Sequence, residues 1–416
     1  MKIQNLTLTN VRAFSHETFE FKPGMNLLVG LNGLGKTTVL DVLRILLSQV
    51  LPHANAIRSD LLDFVRTDVR ASAESLSVEL KCEVPAANLT YTVHKPLIKY
   101  IPKEGGSVRE SVTETPSKRT LVANTKNGRE ISKLETDKQL AVFFSTRRSL
   151  ASNVQPSKRM AAGDTEAALA EALSSRELRL AEMAYWMEAQ RQLGNEQPQR
   201  LKHLAAVKRA AELFLPGCKN LQAIMSPRPR LKIQKGNTLF DVNQLSEGER
   251  GLLSLALDLA RRLSQLDKSV ADPLASGEAV VLIDELDLHL HPKWQRTIVE
   301  RLLATFPKCQ FIATTHSPQI VAAVEPEQVL LFTAEGVVRP DRTFGMDSNW
   351  ILRHLMEDEE RPHDAAKALG TIEELIRKGY FDKARKQIAV FRKRKFDLPE
   401  WSVLEARMAR MEVLAK

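Results

Sequence analysis

The chain has 416 residues, with 60 Lys and Arg against 51 Asp and Glu, 43% hydrophobic and 27% charged residues, and only 18 Gly and 19 Pro. That composition excludes disordered, collagen-like and disulfide-scaffold classes, and the length predicts two or three domains at about 150 residues each. No apolar run approaches the ~20 residues of a membrane helix, the opening Met1-Lys2-Ile3-Gln4-Asn5-Leu6 reads as strand and not as a signal peptide, and Cys82, Cys218 and Cys309 lie far apart. The expectation is a cytoplasmic protein with reduced cysteines, no zinc site and no membrane span.

The net charge of +9 is segregated: residues 91–160 hold 14 basic and 6 acidic side chains, and residues 361–416 hold 14 and 8, so the remainder is mildly acidic. Two basic regions of this kind favour a polyanionic partner, nucleic acid above all, because each phosphate neutralised releases counterions. Solvated charged faces are the plain alternative.

In chain order, residues 2–30 read as strands that end in Leu27-Leu28-Val29-Gly30, and Thr37 to Leu51 has helical apolar spacing that Pro52 ends. From Ser75 to Val142 the pattern is strand-like but polar, with a Lys/Thr/Gly-rich stretch at 102–130 that predicts a long hairpin tip or loop. Residues 163–214 read as a helical hairpin with short arms, 230–244 as strand and turn, and 245–266 as helix. Ala279–Ile283, Gln310–Thr314 and Val329–Phe332 are continuous apolar runs suited to strands buried on both faces. From Asn349 onward the pattern is helical.

Gly30-Leu31-Asn32-Gly33-Leu34-Gly35-Lys36-Thr37 satisfies G-x-x-x-x-G-K-[ST] between an apolar strand and a helix. Glycines let backbone N–H groups wrap phosphates, Lys36 reaches the β and γ phosphates, and the Thr37 hydroxyl can ligate Mg²⁺. Asp284 and Glu285 end the apolar strand 279–283. Asp284 can hold Mg²⁺ through water, and Glu285 can orient and deprotonate an attacking water. Leu245-Ser246-Glu247-Gly248-Glu249-Arg250 reads as a capping box, and its Ser-x-Gly at a helix start also suits the γ-phosphate of a nucleotide held by another subunit. His316 follows a buried strand, where a lone histidine is ordinarily structural.

These motifs in this order resemble the ATP-binding-cassette ATPases of the RecF, SMC and OLD group: Walker A at 30–37, signature at 245–250, Walker B at 279–285, D-loop at 286–292 and switch His316. The resemblance implies an α/β fold, an ABC-type P-loop ATPase head bearing a strand-rich lobe, a short helical insertion and a C-terminal helical module. It implies ATP and Mg²⁺ as cofactors. Lys36, Glu285 and His316 would act in catalysis, Thr37 and Asp284 would hold the metal, and Arg12, Asn32, Gly33, Gly35, Lys36, Thr37, Thr38, Ser246 and Gly248 would bind nucleotide. Arg12 enters through the pattern Asn10-Val11-Arg12-Ala13-Phe14. Two chains would sandwich two ATPs, each between the Walker A of one and Ser246 of the other. The expected divisions are 1–74 and 230–335 for the ATPase core, 75–162 for the basic lobe, 163–229 for the insertion and 336–416 for the terminal module.

Residues 335–416 lack the strand ending in Glu and the later D-x-D of a Toprim nuclease. Instead, Phe344-Gly345-Met346-Asp347-Ser348-Asn349-Trp350-Ile351-Leu352 and the basic helical tail resemble the PtuA ATPases of Septu and retron-associated antiphage systems. That resemblance implies a sensor and scaffold ATPase, not itself a nuclease, that controls a separate HNH nuclease and in retrons also meets a reverse transcriptase and its single-stranded DNA. A RecF-like repair ATPase and a nucleotide-locked assembly factor with little turnover remain the alternatives.

Overall fold

In the computed structural model, residues 1–51, 62–85, 87–97, 117–125, 139–146, 150–151, 165–174, 178–267, 269–356, 363–393, 398 and 400–414 are described. The strands are β1 (Lys2–Val11), β2 (Phe14–Glu20), β3 (Met25–Gly30), β4 (Ser75–Val84), β5 (Ala87–Pro96), β6 (Lys118–Thr125), β7 (Leu140–Phe144), β8 (Leu150–Ala151), β9 (Leu178–Arg179), β10 (Cys218–Ile224), β11 (Arg230–Lys235), β12 (Thr238–Asp241), β13 (Ala279–Ile283), β14 (Gln310–Thr314), β15 (Val329–Phe332) and β16 (Val337–Val338). The helices are α1 (Lys36–Val50), α2 (Thr165–Leu169), α3 (Leu180–Leu193), α4 (Pro198–Phe214), α5 (Glu247–Leu266), α6 (Pro273–Ser276), α7 (Pro292–Gln295), α8 (Ile298–Thr305), α9 (Pro318–Val321), α10 (Ser348–Leu355), α11 (His363–Arg377), α12 (Phe381–Lys393) and α13 (Glu400–Leu414). The chain divides into two units, Met1–Ile351 and Leu352–Lys416.

The first unit is built on a six-stranded sheet in the order β16-β15-β3-β14-β13-β7. Its strands β15, β3, β14, β13 and β7 pair in parallel. Every residue of these five strands is buried, which is why their sequences are continuous apolar runs without alternation. A second, antiparallel sheet runs β2-β1-β4-β5-β6. Its strand β4 alternates buried and more exposed positions along its length, as a strand with one wet face does. One buried cluster joins Leu6, Leu8, Leu76 and Leu80 of this sheet to Leu40, Leu43 and Leu47 of α1 and to Leu282 and Ile312 of the parallel sheet. Gln310, itself buried, ties the layers together by accepting from Ile3 N at 2.7 Å and donating to Ile3 O at 2.8 Å and Lys22 O at 3.0 Å.

The stretch expected as one strand-rich lobe, 75–162, is divided in the structure. Strands β4, β5 and β6 extend the antiparallel sheet from β1, but Leu140–Phe144 is an edge strand of the parallel sheet, in register with β13 from Leu140↔Ala279 to Phe144↔Ile283. Leu-Ala-Val-Phe-Phe has no polar alternation, so it suits a strand covered on both faces. Most of the Lys/Thr/Gly-rich stretch 102–130, together with Arg147 and Arg148, lies outside the described residues. The helical hairpin is shorter than 163–214: it comprises α3 and α4, while Leu178–Arg179 pairs with β8. After it, β10-β11-β12 form a small antiparallel sheet. Among the described residues no helix is long and apolar enough to cross a membrane.

The second unit buries Ile372 and Ile376 of α11, Ala384 and Ile388 of α12, and Trp401, Leu404 and Met408 of α13 in one cluster. Phe391 stacks on Trp401, with ring centroids 6.0 Å apart and planes 10° apart.

Candidate functional site

The strand order β3-β14-β13 sets the C-terminal ends of three parallel strands side by side, and each runs into a segment with a motif. After β3 the chain turns through Gly30 (φ 147°), Gly33 (φ 84°) and Gly35 (φ 98°) into α1. Two of these glycines are required by close approach as well as by φ. A Cβ on Gly30 would lie 2.5 Å from Phe332 O, and one on Gly35 would lie 2.5 Å from the Phe14 ring. Helix α1 begins at Lys36 with Gly35 as its left-handed cap residue and no side-chain cap, which leaves its first N–H groups available to an anion. Asn32, Gly33 and Thr37 are exposed, whereas Lys36 and Thr38 are buried.

The Lys36 ammonium donates to Gly30 O at 2.8 Å and Leu31 O at 2.7 Å. Burial holds it below the usual lysine range, opposed by the negative charges of Asp284, Glu285 and Asp287. Those acids follow β13. Thr314 Oγ1, at the end of β14, donates to Asp284 Oδ1 at 2.8 Å and accepts from Glu285 N at 2.7 Å. Glu285 itself adopts φ 50°, uncommon for a residue with a side chain. Asp287 Oδ1 then accepts from Thr315 Oγ1 at 2.6 Å and from His316 N at 3.0 Å. Although the His316 ring reaches solvent, the surrounding protein and then the Lys36 charge push it below the usual histidine range, against the pull of Asp287, Glu285 and Asp284. Lys36, Asp284, Glu285 and His316 therefore share one electrostatic neighbourhood.

Ser246 caps α5. Its N–H and hydroxyl both donate to Glu249 Oε2, at 3.0 and 2.9 Å, and its Oγ accepts from Glu249 N at 3.4 Å. Gly248 packs against the D-loop so closely that a Cβ there would lie 2.3 Å from His289 O, and Glu247 Oε1 lies 3.5 Å from His289 Nε2. The structure thus holds the start of α5 against residues 286–292 through Glu247 and Gly248. His291 caps α7 by accepting from Lys293 N at 3.2 Å. Arg12, at φ 45°, is drawn to the start of α1: its guanidinium donates to Asp41 Oδ2 at 2.9 Å, to Asp68 Oδ1 at 2.9 Å and to Thr38 Oγ1 at 3.5 Å.

Sequence reasoning missed Thr314, Asp41, Asp68 and Lys235, whose ammonium binds Glu249 Oε1 at 2.6 Å. The capping-box spacing did expose Glu249. A threonine at the end of a fully apolar strand, next to the motif histidine, was the available signal for Thr314.

A family model described as AAA domain matches residues 5–213, and a second AAA-domain model matches residues 225–322. The chain is 43% identical over 162 residues to the Retron Ec83 probable ATPase of Escherichia coli, covering 39% of this chain and 30% of that protein. It is 32% identical over 191 residues to the Retron Vc95 probable ATPase of Vibrio cholerae serotype O1 biovar El Tor, covering 44% and 37%. The Septu protein PtuA of Bacillus thuringiensis matches at 39% identity over 87 residues, 20% of this chain and 22% of that one. The chain thus spans about a third of the length of the curated retron relatives it matches. Among solved structures, an SMC head bound to the C-winged helix domain of ScpA aligns with 82% of this chain and 98% of its own at 14% identity and a TM-score of 0.49.

Proposed function

The chain belongs to the AAA-domain family, and from that premise we propose that it binds and hydrolyses ATP with Mg²⁺ as the sensor and scaffold subunit of an antiphage defence complex. The observation that carries the reading is that Lys36, Asp284, Glu285 and His316 follow the C-terminal ends of adjacent parallel strands β3, β13 and β14, with Thr314 bonded to both acids and Asp287 to His316 N. The residues fit the nucleotide. A glycine turn in which the Cβ positions of Gly30 and Gly35 are already filled leads into an open helix start, and a buried ammonium there is held by the carbonyls of Gly30 and Leu31. The Thr37 hydroxyl and the Asp284 carboxylate offer the hard oxygen donors that Mg²⁺ takes.

In this reading Lys36 gives up its carbonyl partners for phosphate oxygens. Asn32, Gly33, Gly35 and Thr38 shape the phosphate cradle, with Arg12 reinforcing the start of α1. Glu285 accepts the proton of the attacking water, and His316, neutral at pH 7, hydrogen-bonds the transferred phosphate. Mg²⁺, when bound, neutralises the charge that develops on the phosphates. Ser246 and Gly248 close over the nucleotide of a second copy, which makes the working unit at least a homodimer.

The likeness to retron and Septu proteins supports the defence setting; within that setting the reading places an HNH nuclease as effector and, in a retron, a reverse transcriptase and its single-stranded DNA as further partners. The basic regions at 91–160 and 361–416 would contact nucleic acid. Within the second of these, Arg392 is already paired with Glu405 at 3.0 and 3.2 Å, so a phosphate contact there would have to compete with that ion pair.

The test is ATP turnover and calorimetric ATP binding by the purified full chain. Lys36→Ala abolishes tight binding, Glu285→Gln binds but does not turn over, and Ser246→Arg binds as wild type but turns over slowly. Wild-type affinity in Lys36→Ala would refute the phosphate-cradle assignment. DNA cleavage appears only when the partner nuclease is added. Cleavage that co-elutes with the chain alone would refute the scaffold role.

A further inference from the structure

The Ser246 hydroxyl has a single proton, and it is donated to Glu249 Oε2. A phosphate anion approaching Ser246 would meet two obstacles at once: a carboxylate competing for that proton and the carboxylate's own negative charge. Glu249 is buried, so water screens its charge poorly. On its far oxygen it carries one counter-charge, the Lys235 ammonium at 2.6 Å, delivered by the last residue of β11. Burial works to raise the Glu249 carboxyl, but the hydrogen bonds from Lys235 and Ser246 outweigh it and hold the group ionised, below the usual range. The same bond holds Lys235 above its own.

We propose that Lys235 is a positioning residue for Ser246: it fixes the carboxylate that orients the serine and cancels the charge that would repel an incoming phosphate. The proposal rests on the reading of Ser246 as a contact to the nucleotide of a second copy. With Lys235 paired, Glu249 holds the Ser246 backbone N–H and keeps the hydroxyl at the helix start, yet is a weak enough acceptor to release the hydroxyl proton toward a phosphate oxygen. Without Lys235, a buried carboxylate faces the phosphate uncompensated. The contact spans 14 residues and joins the end of β11 to the first turn of α5, beside the direct chain connection from β12 to Ser246.

The test compares Lys235→Ala, Lys235→Arg, Glu249→Gln, the double variant Lys235→Ala/Glu249→Gln and Ser246→Arg in the full chain. The readouts are ATP turnover against protein concentration, calorimetric ATP affinity and unfolding midpoint. Lys235→Ala lowers turnover about tenfold with ATP affinity unchanged, and Lys235→Arg retains turnover. The double variant recovers to within about twofold of Glu249→Gln, because removing the stranded charge removes the repulsion. A merely structural contact would give a double variant as slow as Lys235→Ala, and that result overturns the proposal. Wild-type turnover in Lys235→Ala alongside inactive Ser246→Arg would refute the positioning role alone. Wild-type turnover in Ser246→Arg would remove the underlying reading and the proposal with it.

Discussion

Thr314 is the side chain on which the site's two acids depend, and replacing it with the near-isosteric Val isolates that dependence. The hydroxyl is buried, donates to the Asp284 carboxylate at 2.8 Å and accepts from Glu285 N at 2.7 Å. A hydrogen bond to a charged group contributes about 1.5–3 kcal/mol and one between neutral groups about 0.5–1.5, so Thr314→Val costs about 3 kcal/mol. At about 2.1 cal/mol/K per residue, the 351-residue unit Met1–Ile351 has an unfolding entropy of about 0.74 kcal/mol/K, and the expected fall in midpoint is about 4 °C. The functional loss is larger in proportion, because Glu285 sits at φ 50° and its backbone loses one of the bonds that hold it there. Differential scanning calorimetry and steady-state ATP turnover measure the two effects, with Thr314→Ser restoring both. A Thr314→Val protein that melts within 1 °C of wild type and turns over normally would refute the argument that this hydroxyl organises the acids.

Gly35→Ala places a methyl 2.5 Å from the Phe14 ring at φ 98°, so it lowers stability by about 2 kcal/mol and loses ATP binding, both read by calorimetry. The depressed His316 pKa means that the unfolded chain takes up this proton before the folded one does. Its contribution is therefore intact above the unfolded value near 6.5 and is lost as pH falls through it, and His316→Gln flattens the melting profile between about pH 7 and 5.5 relative to wild type. Trp401→Ala removes a fully buried ring stacked on Phe391. The loss is about 3–5 kcal/mol, enough to unfold so small a unit, and limited proteolysis should then degrade residues after 352 while leaving Met1–Ile351 intact.

How much of this was legible in the sequence depends on the range of the contact. The parallel strands announced themselves because burial on both faces demands unbroken apolar runs, and the phosphate loop because its glycines recur at fixed spacing between strand and helix. Ser246 and Glu249 were readable as a pair because a capping box spans three residues. Leu140–Phe144 was assigned to the wrong neighbours because periodicity reports how a strand is covered, not which strand lies beside it. Thr314 with Asp284, Arg12 with Asp68, and Lys235 with Glu249 are separated by 30, 56 and 14 residues. Those meetings follow from sheet order and hairpin placement, which no local spacing encodes.

The sheet order also makes a route between Ser246 and the acids, and Gly248 is the point at which to test it. Gly248 abuts the His289 carbonyl, His289 lies two residues from Asp287, Asp287 accepts from Thr315 and His316, and the neighbouring Thr314 holds Asp284 and Glu285. Each contact is a hydrogen bond or a backbone approach, so a shift of the α5 start relative to the D-loop is passed on and not absorbed by flexible side chains. A Cβ at Gly248 would lie 2.3 Å from His289 O, and backbone cannot swing aside, so Gly248→Ala forces the helix start and the D-loop apart. Gly251, one turn further along the same helix, has nothing within 4 Å of its Cβ position. Gly251→Ala should therefore gain up to about 1 kcal/mol from helix propensity and leave turnover at or above wild type. The expected contrast is turnover at least about tenfold lower in Gly248→Ala, with calorimetric ATP affinity at the phosphate loop unchanged. Equal turnover in the two variants would show that the approach of α5 to the D-loop is mere packing, and that Ser246 communicates with Glu285 by some other path.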